Sequence, residues 1–360
     1  MAHIRLPLLD RWVRPWVPLL LSGWLGGCVN FGYYAQLLEG QVQLLRQREP
    51  VAGVLADQRR DPRLRERLAL ALQARTFASR TLHLPDNRSY RSYVELDRPY
   101  VLWNVFAAGE FSVAPLLHCF PLAGCVAYRG YYQPGRARGA AALLRQRGWD
   151  TQVAGSEAYS TLGWFADPLL SSMLQQDDAH LAGLIFHELA HQRLYVPGDT
   201  AFNESFASFV EQQGLHQWHA ARGLAPPDPA AQRQREEFVA LLLQTRERLR
   251  RLYAEELPSD AMRRRKQAEF DRLRADYRQW RDMRWNGDRR YDGWIAAPLN
   301  NAALLPFGLY DQWLGAFATL FRQAGEAWPA FYVRAAALAR LPPDERRRAL
   351  EHLQRGGDSR

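Results

Sequence analysis

The residues that could do chemistry are concentrated in residues 184–214, which read LIFHELAHQRLYVPGDTAFNESFASFVEQQG. On a helix, His187 and His191 lie four residues apart on one face, so both imidazoles can reach a single tetrahedral zinc ion. Glu188 follows the first histidine and can accept a proton from a water molecule held at the same ion. The pentad therefore predicts zinc-dependent hydrolysis with Glu188 as the general base.

A third zinc ligand is predicted at Glu204, thirteen residues after His191. The connection RLYVPGDTAF turns at its Pro-Gly pair, and Asp199 or Thr200 can cap the helix that follows. Glu204 then lies in the first turn of this second helix and can face back towards the histidines. The helix dipole alone also favours a carboxylate at this position, so the ligand role is a hypothesis that the geometry must support.

A peptide substrate needs an extended partner beside the metal. The segment AYSTLGWF, upstream of the zinc helix, is predicted to be an edge strand that pairs with the substrate backbone, with Tyr159 and Gly163 in contact. The same segment also fits an interior strand with a bulge at Gly163.

The developing oxyanion needs a hydrogen-bond donor, and Tyr310 in LLPFGLYDQW is the predicted one. Competing candidates lie in the motif YRGYY, namely Tyr128, Arg129 and Tyr131. Asn300 and Asn301 are candidates for binding the substrate backbone, although capping of the helix that follows is the more common role for such residues.

The N-terminus predicts export and lipidation. Arginines precede the apolar run VPLLLSGWLGGC, which is too short to span a bilayer and has the order of an export signal. The run ends in LGGC, which is similar to a bacterial lipobox, so residues 1–27 are predicted to be a signal peptide and Cys28 the lipidated residue. Val29 after the cysteine favours the outer membrane, with the protein facing the periplasm. A buried helix with an incidental cysteine is the alternative.

An exported protein lies where disulfides persist, and two cysteines remain besides Cys28, at positions 119 and 125. A proline and a glycine in the intervening loop allow their thiols to meet. A Cys119–Cys125 disulfide is therefore predicted in preference to a metal pair, with reduced thiols as the remaining alternative.

The charge pattern argues against nucleic acid as a partner. The formal charge is +9 and the isoelectric point is about 9.7, but Lys266 is the only lysine and the arginines alternate with acidic residues. That pattern is typical of solvated helix faces rather than of a one-sided basic stripe. The predicted partners are a peptide or protein substrate and, through the lipid anchor, a membrane.

The pattern along the chain predicts an α+β fold dominated by helices. Two helices follow the signal, and the Tyr-, Val- and Phe-rich stretch from Leu84 predicts several strands before the zinc helix. Residues 226–285 carry an apolar helical stripe broken by ELPSDA, which predicts a long α-hairpin that packs on the core or docks a partner. The predicted divisions are the signal (1–27), the helices, sheet and zinc site (28–225), the hairpin (226–285) and a helical part that returns to the core (286–360).

The two histidines and the glutamate resemble the ligand set of the gluzincin metallopeptidases, with a shorter gap than in the thermolysin-like members. The stretch from Leu184 to Gly214 is similar to the signature of a bacterial family of predicted aminopeptidases, which are exported lipoproteins. Further blocks carry the resemblance: LPDNRSYRSYVEL, YVLWNVFAAGEFSV, CFPLAGCVAYRGYY, AYSTLGWFADPLLSSML and NNAALL. It implies a zincin-like fold, with a small sheet next to the zinc helix, and zinc-dependent peptide hydrolysis.

Three readings of the function stay open on the sequence. The preferred one is a zinc peptidase of the bacterial cell envelope, an aminopeptidase by resemblance. The chain has no GAMEN-type segment, with which gluzincin aminopeptidases hold a free amino terminus, so an endopeptidase acting on peptidoglycan or a partner protein is the second reading. The third is a non-catalytic envelope lipoprotein, in which zinc is structural and the hairpin binds a protein.

Overall fold

The computed structural model describes residues 17–120, 124–226, 228–307 and 312–357, with side chains from residue 32 onwards. The chain divides into two units after Gln47. The first unit contributes helix α1 (Val17–Gln47), whose sequence includes Cys28. Part of the predicted signal peptide lies outside the described residues, and export and lipidation stay predictions. Within the described part of the chain, none of the helices has both the length and the apolarity that crossing a membrane requires.

The described residues of the second unit form eight short strands in two three-stranded sheets and one hairpin. They are β1 (Glu49–Pro50), β2 (Ser92–Val94), β3 (Leu102–Gly109), β4 (His118–Phe120), β5 (Gly124–Val126), β6 (Tyr128–Tyr131), β7 (Trp149–Ser156) and β8 (Leu169–Leu170). The sheet with the longer strands, called the larger sheet here, has β3 at its centre. Strand β3 pairs antiparallel with β6 and β7. The smaller sheet has the order β1–β2–β8, and β4 pairs with β5.

Helices make up about 60% of the described residues, which confirms the prediction of a helix-dominated α+β fold. Those of the second unit are α2 (Val51–Ala56), α3 (Pro62–Arg80), α4 (Pro134–Gln146), α5 (Asp178–Arg193), α6 (Thr200–Ala221), α7 (Pro229–Leu252), α8 (Ser259–Arg284), α9 (Asp292–Ala296), α10 (Leu314–Gln323), α11 (Trp328–Ala339) and α12 (Pro343–Gly357). The first helix predicted after the signal is interrupted at Pro50, because proline lacks the N–H that a continuous helix needs. The zincin-like assignment stays a prediction.

The segment AYSTLGWF forms a loop after β7, so the prediction of a strand there was wrong. Leu162 and Gly163 have φ values of 55° and 82°, in the left-handed region that no strand adopts. Thr161 closes the loop, because its hydroxyl donates to the Asp167 carboxylate over 2.7 Å. Strand addition of a substrate at this segment would need a backbone conformation that the loop does not have.

Helices α7 and α8 form the hairpin that the charged segment predicts. Phe238 in the first half of α7 contacts the ring of Tyr277 in the second half of α8, and Arg248 further along α7 pairs with Glu269 earlier in α8 over 2.7 Å. The two helices therefore run antiparallel. Their facing sides bury an apolar cluster whose members include Leu241, Leu242, Leu249, Met262, Phe270 and Leu273.

Lys266 joins this hairpin to the larger sheet. Its ammonium group donates to the Asp150 carboxylate over 2.6 Å and to the Glu110 carbonyl over 2.8 Å. Asn301 adds a second link, since its side chain accepts the Tyr253 hydroxyl at the end of α7 over 2.8 Å. The same side chain donates to the carbonyls of Gly109 and Glu110 over 3.0 and 2.9 Å. The hairpin is thus packed on the core through apolar, ionic and hydrogen-bonded contacts.

Candidate metal centre

Helices α5 and α6 carry the candidate metal ligands. Helix α5 begins after Asp177, whose carboxylate accepts the amide of His180 over 2.8 Å. From Leu181 to His191 nearly every residue of α5 is buried. Glycine makes the close approach of α6 possible, because a Cβ on Gly183 would lie 3.0 Å from Leu215 and 3.2 Å from the Glu211 side chain.

The three ligands predicted from the sequence converge. The Nε2 atoms of His187 and His191 lie 3.1 Å apart. Oxygen Oε2 of Glu204 lies 3.3 Å from the first and 3.6 Å from the second. Among the described residues, these form the one group of His, Cys, Asp and Glu side chains whose geometry could hold a metal ion.

The spacing of these atoms fits a zinc-sized ion. Ligands at about 2.0 to 2.2 Å from a tetrahedral ion lie about 3.3 to 3.6 Å from one another. The observed distances of 3.1, 3.3 and 3.6 Å match three corners of such a tetrahedron. The donor set of two imidazoles and one carboxylate is also one that divalent transition metals accept.

The position of Glu204 depends on the turn between the two helices. Asn203 is 1% exposed, and its side chain accepts from the amide of Val196 over 2.7 Å and donates to the carbonyl of the same residue over 2.8 Å. Asp199 caps α6 by accepting the Phe202 amide over 3.0 Å, as the sequence predicted. The turn is therefore hydrogen-bonded directly to Asn203, the residue that precedes the third candidate ligand, Glu204.

Glu211 is a functional candidate that the sequence analysis did not anticipate. Its Oε2 accepts the Nδ1 hydrogen of His187 over 3.0 Å, so Nε2 is the ring nitrogen that faces the other two ligands. A carboxylate in this position fixes the ring and raises the basicity of the ligand nitrogen. The signal was present in the sequence, because Glu211 lies two helical turns after Glu204 and so shares its face.

Negative charge accumulates around the two rings. Burial raises the pKa of Glu204, but the neighbouring His191 and His187 outweigh it and lower the pKa to about 2. The pKa of Glu211 is lowered in the same way, chiefly by its hydrogen bond to His187 against the effect of burial. Two ionised carboxylates beside the rings favour positive charge there, whether on a protonated imidazole or on a bound cation.

Glu188 lies beside this group and takes no part in holding it. The residue is 8% exposed, and burial raises the pKa of its carboxyl above the usual value. A carboxylate whose pKa is raised by burial can act as a base and then as an acid nearer to neutral pH. The raised pKa makes the ionised carboxylate a stronger proton acceptor, which suits the predicted general base.

Tyr90 is a second unanticipated residue near Glu188. It is 1% exposed and has a φ of 61°, a backbone conformation that is rare for a bulky residue and is concentrated at functional sites. Its hydroxyl has no hydrogen-bond partner among the described residues. Burial raises its pKa well above 10, and the charge of Glu188 contributes to the shift. No sequence pattern predicts either the backbone conformation or the unpaired hydroxyl.

A polar network fixes the loops behind helix α5. Gln192 accepts from the Asn87 amide over 2.7 Å and donates to Ser89 Oγ and to Asp167 Oδ2, each over 3.3 Å. The amide of Tyr90 donates to the Asp167 carbonyl over 2.6 Å. The loops that carry Tyr90 and AYSTLGWF are thereby connected to the residue after His191.

The predicted substrate-binding residues lie in defined surroundings. The ring of Tyr159 packs edge-on against Tyr132, with 6.3 Å between centroids, and Gly163 lies beside the Gln192 side chain. Asn300 caps the turn at Asn301–Leu304 by accepting the amides of Ala302 and Ala303 over 2.9 and 3.3 Å. Substrate binding by these four residues stays a prediction. The side chains of Asn300 and Asn301 already form hydrogen bonds within the protein. Tyr310 lies outside the described residues.

Strands β4 and β5 hold Cys119 directly opposite Cys125, and the two residues form a disulfide. This is the pairing that was preferred from the sequence. Gly124 of the hairpin lies against the turn between α5 and α6, where a Cβ would come within 2.9 Å of Gly198 Cα and of the Pro197 carbonyl carbon.

Comparison with known proteins gives one match. The model of a protein family described as "Putative aminopeptidase" matches residues 32–350. No curated protein matches the chain, and no solved structure does. The matched region includes every ligand, both cysteines of the disulfide and the α7–α8 hairpin.

Proposed function

Because the chain belongs to the "Putative aminopeptidase" family, we propose that it is a zinc-dependent peptidase of the bacterial cell envelope. The observation that carries the proposal is the group of three metal-binding side chains with the buried carboxylate of Glu188 beside it. Family membership supports removal of amino-terminal residues from peptides as the preferred activity.

Zinc is proposed from the chemistry of the donors, since two imidazoles and a carboxylate at tetrahedral spacing suit this ion. His187, His191 and Glu204 would hold it. When bound, the ion would polarise the peptide carbonyl and make water more acidic.

The side chains of the protein supply the remaining steps. Glu188 takes the proton of the attacking water and then transfers it to the leaving amine. Glu211 holds the His187 ring so that Nε2 faces the ion. Tyr310 keeps its predicted role as the donor to the developing oxyanion.

A non-catalytic module with a structural zinc is the second candidate. Structural zinc sites use four protein ligands, whereas catalytic sites use three. Within the part of the chain that the structure describes, no fourth His, Cys, Asp or Glu joins the three ligands. The donor count therefore favours an enzyme.

The proposed location is the outer membrane, with the chain lipidated at Cys28 and facing the periplasm. The LGGC sequence supports lipidation, and a disulfide supports an oxidising compartment. Mass determination of the protein isolated from membranes tests this directly, because lipidation changes the mass of the peptide that begins at Cys28.

The test of the activity is metal analysis of the purified full chain together with digestion of a peptide library. Glu188→Gln is expected to retain zinc and to lose hydrolysis by about 10²- to 10⁴-fold, because the proton acceptor is removed while the ligands stay. His187→Ala should lose both zinc and activity. His180→Ala is the matched control, since His180 lies on the same helix but pairs with Glu157 at the surface.

Each outcome separates the readings. A Glu188→Gln variant that hydrolyses peptides at the wild-type rate would contradict the role of Glu188. A wild-type chain that binds no divalent metal would contradict the zinc peptidase. Products shortened from the amino terminus would indicate an aminopeptidase, and internal cleavage would indicate an endopeptidase.

A further inference from the structure

The turn between α5 and α6 is short and is held from two sides. Only residues 194–199 separate the helix of His191 from the helix of Glu204. On one side, the Asp199 carboxylate accepts the Nε hydrogen of Arg346 over 2.8 Å. That arginine belongs to α12 and is itself 5% exposed. On the other side, the turn meets the disulfide hairpin.

The contact with the hairpin is made by backbone against backbone. Gly124 and Gly198 face each other with φ values of 72° and 81°. A Cβ on Gly124 would overlap the backbone of Gly198, so no side chain fits between the two segments. Because both surfaces are main chain, a displacement of the hairpin cannot be absorbed by rotating a side chain.

The disulfide keeps the hairpin in this position. Strands β4 and β5 pair over three residues each, and so short a two-stranded hairpin is marginal without further support. The Cys119–Cys125 bond lies across the middle pair and is directly adjacent to the contact, since Cys125 follows Gly124. The disulfide therefore fixes the segment at Gly124 that contacts the Pro197–Gly198 turn.

We propose that Gly124 and the Cys119–Cys125 disulfide are positioning elements for the third metal ligand. The hairpin supports the Pro197–Gly198 turn, the turn is bonded through Val196 to Asn203, and Asn203 directly precedes Glu204. Loss of the support displaces the Glu204 carboxylate from its place beside the rings and weakens metal binding. The inference rests on the proposed function only in assigning a metal to this site.

The test compares two glycines that share a left-handed backbone. Gly148 has a φ of 82° and a Cβ there would meet nothing within 4 Å, whereas a Cβ on Gly124 meets the turn. Gly124→Ala and Gly148→Ala therefore introduce similar backbone strain, and only the first disturbs the contact. The zinc dissociation constant of each full-length variant is measured by competition with a chelator, and the thermal unfolding of each metal-free variant is recorded alongside.

Gly124→Ala is expected to weaken zinc binding by about 10- to 100-fold, the range found when the partners of metal ligands are removed. Gly148→Ala should lower the midpoint of thermal unfolding through backbone strain alone, by less than Gly124→Ala does, and leave the dissociation constant unchanged. The double variant Cys119→Ser with Cys125→Ser should weaken zinc binding in the same direction. This pair decides the question if Gly124→Ala does not fold.

Wild-type affinity in the folded Gly124→Ala protein, or in the cysteine double variant, would overturn the inference while leaving the zinc peptidase intact. Equal weakening by both alanine variants would overturn it as well, because strain without contact would then suffice. A wild-type chain that binds no zinc would overturn the proposed function and this inference together.

Discussion

The α7–α8 hairpin and the α5–α6 pair are both two packed helices, but different forces hold them. The hairpin buries an apolar cluster along one side of each helix and exposes charged residues on the other. The α5–α6 pair buries polar groups as well, among them His187, His191, Asn203 and Ser205. Each of these needs a specific partner, whereas an apolar side chain needs only to be enclosed.

The difference indicates what each pair can tolerate. An apolar interface loses stability when a side chain is shortened, but the position of its helices depends on many equivalent contacts. The polar contacts within the α5–α6 pair are directional, so each depends on one partner in one place. We therefore expect damage to the hairpin to appear in the free energy of unfolding, and damage to the α5–α6 pair to appear in metal affinity.

The largest effect is expected from Phe270→Ala in the hairpin. Phe270 is 1% exposed within the apolar cluster, so truncation should lower the free energy of unfolding by about 3 to 5 kcal/mol. Denaturant titration measures this change. The zinc affinity of the remaining folded protein should equal that of the wild type, and a large loss of affinity would contradict the separation of the two regions.

The next effect is expected from Glu211→Gln. The variant keeps the shape of the side chain but removes the charge that orients His187, so zinc affinity should fall by about 10- to 100-fold. Chelator competition measures it. Glu237→Gln on the hairpin is the matched control. A similar fall in zinc affinity in that variant would show that the effect comes from the net charge of the protein and not from the contact with His187.

Gly183→Ala should have a smaller effect, which appears both in the free energy of unfolding and in zinc affinity. The added methyl group meets Leu215 at 3.0 Å and Glu211 at 3.2 Å, so overpacking should lower stability by about 1 to 3 kcal/mol and weaken zinc binding. Gly139→Ala within α4 has nothing within 4 Å. It should be stabilising by up to about 1 kcal/mol, because alanine is the better helix former. Equal destabilisation by the two variants would rule out the contact as the cause.

The smallest change in stability is expected from Tyr90→Phe. The hydroxyl is buried and has no partner among the described residues, so its removal should leave the protein as stable or about 1 kcal/mol more stable. If the hydroxyl serves the reaction, kcat will fall without a change in zinc affinity. A clear loss of stability would show that the hydroxyl has a structural partner.

The sequence predicted those parts of the site that depend on local spacing. His187 and His191 share a helix face whatever the surrounding fold, and Asp199 caps its helix through a bond three residues away. The α7–α8 hairpin was predictable for the same reason, because an apolar stripe and a turn are both local. Glu204 depended on a tight turn, and the Pro-Gly pair was a sufficient signal for it.

The sequence could not predict what depends on contacts between distant segments. The loop of AYSTLGWF was expected to be a strand because its place upstream of the predicted zinc helix suits an edge strand for a substrate, but Asp167 and Gln192 hold it in a turn. The backbone of Tyr90 is fixed by Asp167, far along the chain. The contact of Gly124 with Gly198 joins segments more than seventy residues apart, and neither glycine differs in sequence from one in an ordinary turn.

The single lysine of the chain has a practical consequence. Lys266 is 12% exposed at its side chain and is occupied by Asp150, on the face where the hairpin meets the sheet. A lysine-specific protease therefore has one recognition site, and it is closed while the hairpin stays docked. The rate of that single cut under native conditions reports the opening of this interface, by local undocking or by global unfolding, without any label.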